Sequence, residues 1–498
     1  MRTIKLKKLN QILEERQEKH LKNKKESKNP NNRELSIVVY IFVGLFILLM
    51  GYFVYYNIAV SPNIINSSYN KRQDLFAKKV VRGEIISSDG KVLAQTSVSK
   101  DGTETREYPY NNMYAHVIGY ATKGKAGLES LVNFNLLRSN APLLERVIKE
   151  FRGVKNTGDN VITTLDSKIQ ETAYDALGSH DGAIVVMEAD TGKILAMVSK
   201  PDYNPNNIDQ LWDSLVAAEN TQDSSLLNRA TQGKYPPGST FKILTLLEYM
   251  KENPDYKDYM YQCTGKIALE DSVINCYHNT VHGEVDLYHS FAKSCNSSFA
   301  NIGSNLNINS LAKLCDNFLF NETLPYSMVY NKSSFTLTKD AKTYDVMQTM
   351  IGQGETLVSP LHMAMITQTI ANNGVMMKPY LVDHTENYDG KTVKKFTPSA
   401  YGNIITEEEA KIMQDFMQGV VNDGTASKLS GQSYTAAGKT GSAEFGNVKG
   451  QSHAWFVGFA SVEDSKIVVS IIVEEAGAGS EYAVPIAKKI FDAYYNNR

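Results

Sequence analysis

Residues 235–242 read Tyr-Pro-Pro-Gly-Ser-Thr-Phe-Lys, and this segment constrains both the local structure and the chemistry of the chain. Its two prolines and its glycine cannot continue a helix, whereas the residues that follow carry apolar side chains at spacings of three and four. Ser239 is therefore predicted to lie at a helix N-terminus, where free N–H groups and the helix dipole favour negative charge. Lys242 lies one turn further on the same face. In a partly desolvated pocket a lysine can become neutral and accept the proton of a serine.

The Ser-x-x-Lys spacing is weak evidence alone, because it recurs at Ser97–Lys100 and at Ser290–Lys293. Those two copies are interpreted as chance matches on the protein surface or on a helix face. Only the copy at Ser239 follows a Pro-Pro-Gly turn, and that turn marks Ser239 as the candidate nucleophile.

The segments around this site alternate between strand-like and helix-like patterns. Two apolar runs within 182–199 flank Asp190-Thr-Gly192, which predicts a hairpin whose arms are apolar enough for a sheet covered on both faces. Two strands, a block of helices, three strands and a final helix indicate an α/β sandwich, with one antiparallel sheet against helical layers. The other predicted elements are helices over 239–317, 360–372, 406–421 and from Pro485 onward, and strands over 436–443, 453–460 and 466–474.

Two polar segments downstream of Ser239 suit a serine-based active site. Residues 294–296 are Ser-Cys-Asn, in which a second hydroxyl can relay a proton and a carboxamide can hold a substrate amide and the lysine. Residues 439–442 are Lys-Thr-Gly-Ser on a predicted strand. A cation beside a hydroxyl and a glycine suits a strand that pairs with an extended peptide and attracts its carboxylate.

The N-terminal part of the chain predicts a membrane anchor. Residues 1–34 hold eleven Lys and Arg against five Glu, and an uncharged apolar run follows over 35–56. Such a run spans roughly 33 Å as a helix, enough to cross a bilayer, and it exceeds the 7–15 apolar residues of a cleaved signal peptide. The basic flank places the N-terminus in the cytoplasm. A small pedestal domain is then expected over 57–160, and the main domain over 161–498.

Composition excludes several other classes of protein. The chain has 498 residues, enough for two or three domains, and its 42% hydrophobic content is that of a folded protein rather than a disordered or collagen-like one. A net charge of -2 gives no support for nucleic-acid binding. Four cysteines are too few for a disulfide scaffold.

Ser-x-x-Lys, Ser-x-Asn and Lys-Thr-Gly in this order are the signature set of β-lactamases and penicillin-binding proteins. The chain resembles a class B (monofunctional) penicillin-binding protein, a peptidoglycan D,D-transpeptidase, and the resemblance extends from residue 35 to the end. Further matching stretches are Arg82-Gly-Glu-Ile, Asp89-Gly-Lys-Val-Leu-Ala, Gly127-Leu-Glu129, Ile351-Gly-Gln-Gly-Glu, Val358-Ser-Pro-Leu, Val420-Val-Asn-Asp-Gly-Thr-Ala and His453-Ala-Trp-Phe-Val-Gly-Phe. The resemblance implies the penicillin-binding transpeptidase fold, with a five-stranded antiparallel sheet between helical layers and a small, mainly β pedestal.

The resemblance also implies a role for each motif residue. Ser239 would attack the D-Ala-D-Ala carbonyl of a stem peptide and release the terminal D-Ala, and an amine of a neighbouring strand would resolve the acyl-enzyme into a cross-link. The backbone N–H groups of Ser239 and Ser442 would form the oxyanion hole, and β-lactams would acylate Ser239. The implied catalytic residues are Ser239, Lys242 and Ser294, and the implied substrate-binding residues are Asn296, Lys439, Thr440, Gly441 and Ser442.

Partners and rival activities follow from the same resemblance. No stretch is left to house a glycosyltransferase domain, so the family's usual partner, a polytopic membrane glycosyltransferase, is expected. A D,D-carboxypeptidase or a β-lactamase-like hydrolase would use the same catalytic set. A non-catalytic β-lactam sensor usually carries several membrane spans and an intracellular effector, and one span with a 34-residue basic tail leaves room for neither. A non-catalytic cell-wall scaffold would account for the pedestal but not for the intact motifs, which favour the transpeptidase. Catalysis is expected to need no cofactor and no metal.

The cysteines leave three readings open. Cys263, Cys276, His278 and His282 cluster between the first two motifs, and Cys295 lies inside the second. Thiols and imidazoles of this kind can hold a structural zinc ion. Outside the cytoplasm they can instead form a disulfide, or the thiols can stay free.

Overall fold

The computed structural model describes residues 2–26, 33–60, 77–218, 224–445 and 451–496, and the chain divides into two units, Met1–Ser67 and Ser68–Arg498. The first unit contains helices α1 (Arg2–Glu26) and α2 (Arg33–Tyr55). Within α2, Leu35–Tyr55 has a mean hydropathy of 2.7, and its side chains are exposed. The apolar helix predicted over 35–56 is therefore present, with the length and composition of a membrane span.

The second unit is a mixed α/β structure. Its helices are α3 (Ala115–Ile118), α4 (Gly127–Leu131), α5 (Asn133–Leu136), α6 (Leu143–Phe151), α7 (Ser167–Leu177), α8 (Ile208–Ala217), α9 (Lys242–Glu252), α10 (Leu287–Ala292), α11 (Asn296–Ser304), α12 (Ile308–Asn317), α13 (Thr343–Met350), α14 (Pro360–Ala371), α15 (Glu407–Asn422) and α16 (Ala483–Tyr495). Its strands are β1 (Val80–Val81), β2 (Ile85–Ile86), β3 (Val92–Val98), β4 (Glu104–Glu107), β5 (Asn156–Thr157), β6 (Asn160–Thr163), β7 (Gly182–Glu188), β8 (Ile194–Lys200), β9 (Met260–Cys263), β10 (Lys266–Leu269), β11 (Ser272–Asn275), β12 (Gly283–Asp286), β13 (Val375–Met377), β14 (Val382–Glu386), β15 (Thr392–Lys395), β16 (Ala400–Asn403), β17 (Thr435–Glu444), β18 (Ser452–Val462) and β19 (Ser465–Val473).

A five-stranded antiparallel sheet forms the centre of this unit, in the order β17-β18-β19-β7-β8. Alternate residues of β7, β18 and β19 are buried alike, so both faces of the sheet are covered. Helices α14 and α15 pack together and against the sheet, and α7 and α16 form a second such pair. The predicted α/β class, with one antiparallel sheet between helical layers, is confirmed.

The helical block predicted over 239–317 is interrupted, and in this respect the prediction is wrong. Strands β9 to β12 lie inside it, with β9 paired to β12 and β10 paired to β11. Gly265 and Glu270 have positive φ angles at the turns of these short strands. Four-residue strands bury too few side chains to show a clear period of two, so the helical pattern of their neighbours concealed them.

The second sheet, ordered β15-β14-β6-β2-β3-β4, belongs to the pedestal region. Its strands β14 and β15 come from far downstream and complete a sheet that begins near Ile85. Helices α3 to α6 lie in the same region, so it is mixed rather than mainly β. The helices are too short for their apolar spacing to stand out in the sequence. The boundary at 160/161 stays a prediction.

A buried ion cluster joins the pedestal motifs that the sequence analysis singled out separately. Arg82 Nε lies 2.6 Å from one carboxylate oxygen of Glu129, and Arg106 Nε lies 2.7 Å from the other. The Glu129 side chain is fully buried. Burial alone would raise the pKa of Glu129, but the charges of Arg106 and Arg82 hold that pKa below its ordinary value. The Arg82 motif and the Glu129 motif are therefore held together by one buried ion cluster.

Candidate active site

The turn that carries Ser239 is a short 3-10 helix, Gly238–Phe241, which runs directly into α9. Gly238 adopts a φ of +55° and its N–H donates to the Gly352 carbonyl at 2.9 Å. Gly352 has a φ of +78°, and a Cβ there would lie 1.8 Å from the Gly238 carbonyl oxygen. Only glycine fits at 352, so the Ile-Gly-Gln-Gly segment supports the turn of the half-buried Ser239 from below.

The residues that lead into Ser239 are tied to the central sheet. The Tyr235 hydroxyl donates to Glu474 at 2.5 Å, and the Trp455 indole N–H donates to the Pro236 carbonyl at 3.1 Å. The backbone of Tyr235 also pairs with Val358 in both directions. These contacts hold the turn against β18 and the end of β19.

Lys242 is fully buried, and its ammonium group faces the second motif. Its Nζ donates to the Ser294 carbonyl at 2.8 Å, to Asn296 Oδ1 at 2.7 Å and to the Ser294 hydroxyl at 3.2 Å. Burial lowers the pKa of Lys242 to about 7, although neighbouring thiols oppose the shift. The lysine is thus near its balance between cation and neutral amine at neutral pH.

Ser294 and Asn296 hold their positions because of the break between α10 and α11. Ser294 has a φ of +56°, an unfavourable conformation for a residue with a Cβ. Cys295 caps the N-terminus of α11 by accepting from the Ser298 N–H. Asn296 Nδ2 donates to the Asn275 carbonyl at 3.1 Å, which orients its oxygen toward Lys242.

The third motif lies on β17, an edge strand of the central sheet. Lys439 is fully buried, and its Nζ donates to the Thr440 carbonyl at 3.0 Å. Burial and the charge of Lys242 hold the pKa of Lys439 well below its ordinary value. The Thr440 hydroxyl shares a short hydrogen bond with Thr425, which follows α15.

Close backbone contacts bring β17 beside the Ser239 turn. A Cβ on Gly441 would lie 3.1 Å from the Pro237 carbonyl oxygen and 3.2 Å from a Thr240 methyl. A Cβ on Gly238 would likewise lie 3.1 Å from the Ser442 carbonyl oxygen. The structure therefore brings the three motifs together. Lys242 of the first motif contacts Ser294 and Asn296 of the second. The Ser239 turn of the first motif also lies beside Gly441 and Ser442 of the third.

Gln353 is a site residue to which the sequence analysis assigned no role. In the amide orientation that satisfies both groups, its oxygen accepts from the Glu444 N–H at 3.1 Å and its nitrogen donates to the Glu444 carbonyl at 3.3 Å. The Gln353 side-chain amide thus pairs with the backbone N–H and carbonyl of Glu444 at the end of β17, as the backbone of a neighbouring strand would. The Ile351-Gly-Gln-Gly-Glu stretch was the available signal, but nothing in it specifies a contact with β17.

A cluster of sulfur and nitrogen atoms lies directly behind the second motif. The ligand atoms of Cys263, Cys276, His282 and Cys295 all lie within 4.8 Å of one another. Sγ–Sγ distances are 3.7 Å for Cys263–Cys276 and 3.8 Å for Cys276–Cys295, and Cys263 Sγ lies 3.3 Å from His282 Nδ1. The cluster includes Cys295 and omits His278, which lies in a separate turn. Pairing of β9 with β12 sets Cys263 opposite Gly283, next to His282.

Family models match two parts of the chain. Residues 182–492 match the penicillin binding protein transpeptidase domain, and residues 82–161 match the penicillin binding protein A dimerisation domain. The first match alone covers more than half of the chain.

Individual relatives match over almost the whole chain. The peptidoglycan D,D-transpeptidase PbpA of Mycolicibacterium smegmatis is 30% identical over 92% of this chain and 98% of its own length. Penicillin-binding protein A of M. tuberculosis, solved as a ceftriaxone acyl-enzyme, has a TM-score of 0.77 at 27% identity and covers 85% of this chain and 100% of its own. The D,D-transpeptidase domain from Eggerthella lenta gives 0.75 at 30% identity, with 84% and 99% coverage.

Proposed function

The chain belongs to the penicillin-binding protein transpeptidase family, and we propose that Ser239, Lys242 and Ser294 carry its reaction. It is a peptidoglycan D,D-transpeptidase that forms a serine acyl-enzyme and is acylated by β-lactams. The observation that supports this assignment most directly is the buried Lys242 amine. It lies one helical turn from Ser239 and within hydrogen-bond distance of both Ser294 and Asn296.

In the acylation step, neutral Lys242 takes the proton of the Ser239 hydroxyl while Oγ bonds to the carbonyl carbon of the penultimate D-Ala. The C–N bond to the terminal D-Ala then breaks. The leaving amine receives a proton from Lys242 by way of the Ser294 hydroxyl, 3.2 Å from Nζ. In the second step an acceptor amine attacks the ester and Ser239 recovers its proton, so the products are a cross-link and free enzyme.

The negative oxygen that develops during both steps needs preorganised donors. We assign these to the backbone N–H groups of Ser239 and Ser442, because Gly238 and the Ser442 carbonyl are in near contact. One such donor typically contributes about 10²–10³ in rate.

The remaining motif residues bind the substrate. Asn296 contacts the substrate amide, and residues Lys439, Thr440 and Gly441 of β17 receive the peptide and its carboxylate. The edge position of β17 supports this role, because an edge strand presents unpaired backbone groups to an extended peptide.

Mass spectrometry with a fluorescent penicillin tests the nucleophile. A stable adduct is expected on the peptide that contains Ser239, and Ser239→Ala should carry none, whereas Ser290→Ala, a serine in the same Ser-x-x-Lys spacing, should remain labelled. A cross-linked product from a stem peptide and an acceptor amine then separates transpeptidation from carboxypeptidase activity. An adduct on another residue would contradict the assignment.

The arrangement in the cell is part of the same proposal. Residues 1–34 are cytoplasmic, 35–56 cross the membrane, and the pedestal (57–160) and transpeptidase (161–498) domains lie outside, where a polytopic membrane glycosyltransferase supplies glycan strands. The apolar helix Leu35–Tyr55 and its basic flank support this topology. Protease added to intact protoplasts should remove the catalytic domain and leave an N-terminal epitope protected.

Catalysis at Ser239 needs no cofactor, but the cluster of Cys263, Cys276, His282 and Cys295 has the geometry of a structural zinc site. Zn–S bonds of about 2.3 Å in a tetrahedron separate two sulfurs by about 3.8 Å. The observed separations are 3.7 and 3.8 Å. A disulfide would join two of these thiols at an S–S distance of about 2.05 Å. It would not account for the third thiol and the imidazole, whose ligand atoms lie in the same cluster.

A zinc ion here would position the second motif, since Cys295 lies between Ser294 and Asn296. Elemental analysis of the protein purified without chelator should give about one zinc per chain. Cys263→Ser should lose the metal and acylate more slowly, whereas His278→Ala, outside the cluster, should retain both. A metal-free protein with ordinary acylation would eliminate the zinc assignment and leave the roles of Ser239 and Lys242 untouched.

A further inference from the structure

We propose that helix α6 of the pedestal lies on the outer surface of the lipid bilayer, with its apolar side in the headgroup region. This inference rests on the membrane anchoring proposed above. It concerns a surface that takes no part in catalysis.

The apolar side of α6 is exposed, most strongly at its two ends. Leu144, Val147, Ile148 and Phe151 follow the spacing i, i+3, i+4, i+7 and are 73%, 38%, 41% and 89% exposed. No residue of the helix is buried. A helix with such a stripe normally turns it toward the protein core, so a stripe that is partly exposed at its centre and largely exposed at both ends indicates a surface that something else covers.

Helix α6 lies where the chain enters the pedestal. Lys79 pairs with Glu150 of the helix at 3.7 Å, and Lys155, just past its end, donates to the Ala77 carbonyl at 3.3 Å. Only 16 residues separate Ala77 from Val60, the last described residue after the apolar helix. That length of chain spans at most about 60 Å when fully extended. The chain length therefore sets an upper limit on the distance between this end of the pedestal and the end of the apolar helix.

The charges around the stripe suit an anionic lipid surface. Residues 143–155 contain four basic and two acidic side chains. Of the acidic ones, Glu145 is paired with Lys149 at 3.1 Å and also accepts from the Tyr388 hydroxyl. Basic residues beside exposed large apolar side chains are the composition of an interfacial helix.

Vesicle flotation of residues 68–498 tests the proposal. These residues form one unit, and solved relatives of matching extent cover 84–85% of the chain. Equimolar phosphatidylglycerol and phosphatidylcholine vesicles should carry this fragment upward, and pure phosphatidylcholine should carry less of it. Leu144→Glu should reduce the bound fraction by about tenfold, since an apolar side chain is withdrawn from the lipid. Val329→Glu, at an equally exposed site in the transpeptidase domain, should bind as the parent does.

A fluorescent probe gives a second readout that does not depend on a charged substitution. Phe151→Trp should shift its emission to the blue with the anionic vesicles, and Val329→Trp should not. Equal flotation of Leu144→Glu and the parent, or no flotation of either, would overturn the proposal. So would a vesicle-free dimer that Leu144→Glu dissociates, because the stripe would then be covered by a second copy. Carbonate extraction of the full chain tests the anchor separately, and its result does not depend on α6.

Discussion

The Lys242 amine shows two opposing effects acting on one group. Three oxygen acceptors favour the ammonium ion, while complete burial favours the neutral amine. Burial prevails, and the pKa falls to about 7. A general base operates best when its pKa is near the ambient pH, so burial of this side chain supports the proposed proton transfer.

The acylation rate should therefore follow the titration of Lys242. Because the neutral amine is the active form, the rate should rise with pH through about 7 and level off above it. Lys242→Met should acylate about 10²–10⁴-fold more slowly and lose this pH dependence. Stopped-flow measurement with a fluorescent penicillin would show both effects. A rate that falls as pH rises through neutrality would contradict the assignment of the lysine as base.

A glycine-to-alanine pair isolates the support beneath Ser239. Gly352 and Gly390 both have φ near +77°, so alanine at either should cost about 1–2 kcal/mol in backbone strain. At Gly352 the added Cβ would also meet the Gly238 carbonyl, whereas at Gly390 nothing lies within 4 Å. Gly352→Ala should thus slow acylation strongly and Gly390→Ala hardly at all. Equal rates for the two variants would show that the Ser239 turn does not need this support.

Among the structural elements, β17 is fixed by contacts with several separate parts of the chain. It is paired with β18 on one side, touches the Ser239 turn through Gly441, and meets the Gln353 amide at its end. The buried Lys439 and the Thr440–Thr425 contact fix its side chains from below. A strand held in this way can receive a peptide without reorganising, which reduces the cost of binding.

The short strands of the pedestal depend on the ion cluster at Glu129. Glu129→Gln leaves two arginine side chains without their counter-charge in a buried place, and we expect a loss of about 3–5 kcal/mol in the free energy of unfolding. Glu104→Gln removes the partner of Lys155 from an ion pair that is more exposed than the Glu129 cluster. This change should cost less than about 1 kcal/mol. Urea denaturation would compare the two. Similar midpoints would mean that the cluster contributes specificity rather than stability.

At the largest scale, the main feature of residues 68–498 is an apolar core shared by the pedestal and transpeptidase regions. A single set of buried apolar residues in contact extends from Ile85 in the pedestal to Tyr494 in the last helix. Strands β14 and β15 also return from the transpeptidase region into the pedestal sheet. The pedestal is therefore attached by packing and by backbone pairing, not only by a linker.

Calorimetry of residues 68–498 should accordingly give one cooperative unfolding transition. Deletion of residues 68–164 should lower the melting temperature of the remainder, because it removes β6 and leaves β14 with an unpaired edge. Two well-separated transitions in the longer fragment would indicate that the regions unfold independently, against this expectation.

The amino-acid sequence was sufficient for local features whose cause lies in neighbouring residues. A Pro-Pro-Gly turn before an apolar period of three and four placed Ser239 at a helical start. An uncharged run of 22 residues predicted α2, and two apolar runs around Asp190-Thr-Gly192 predicted the β7–β8 hairpin. The order of the three motifs indicated the family, which the comparisons confirm.

Other features depend on contacts between residues far apart in the chain, which no local pattern specifies. The return of β14 and β15 to the pedestal, the contact of Gln353 with β17, and the joining of Arg82 to Glu129 are of this kind. In the sulfur cluster, the pairing of β9 with β12 brings Cys263 beside His282, and the start of α11 supplies Cys295. Periodicity reports which face of an element is apolar, but only packing in three dimensions selects the partner that covers that face, or, for α6, leaves it exposed.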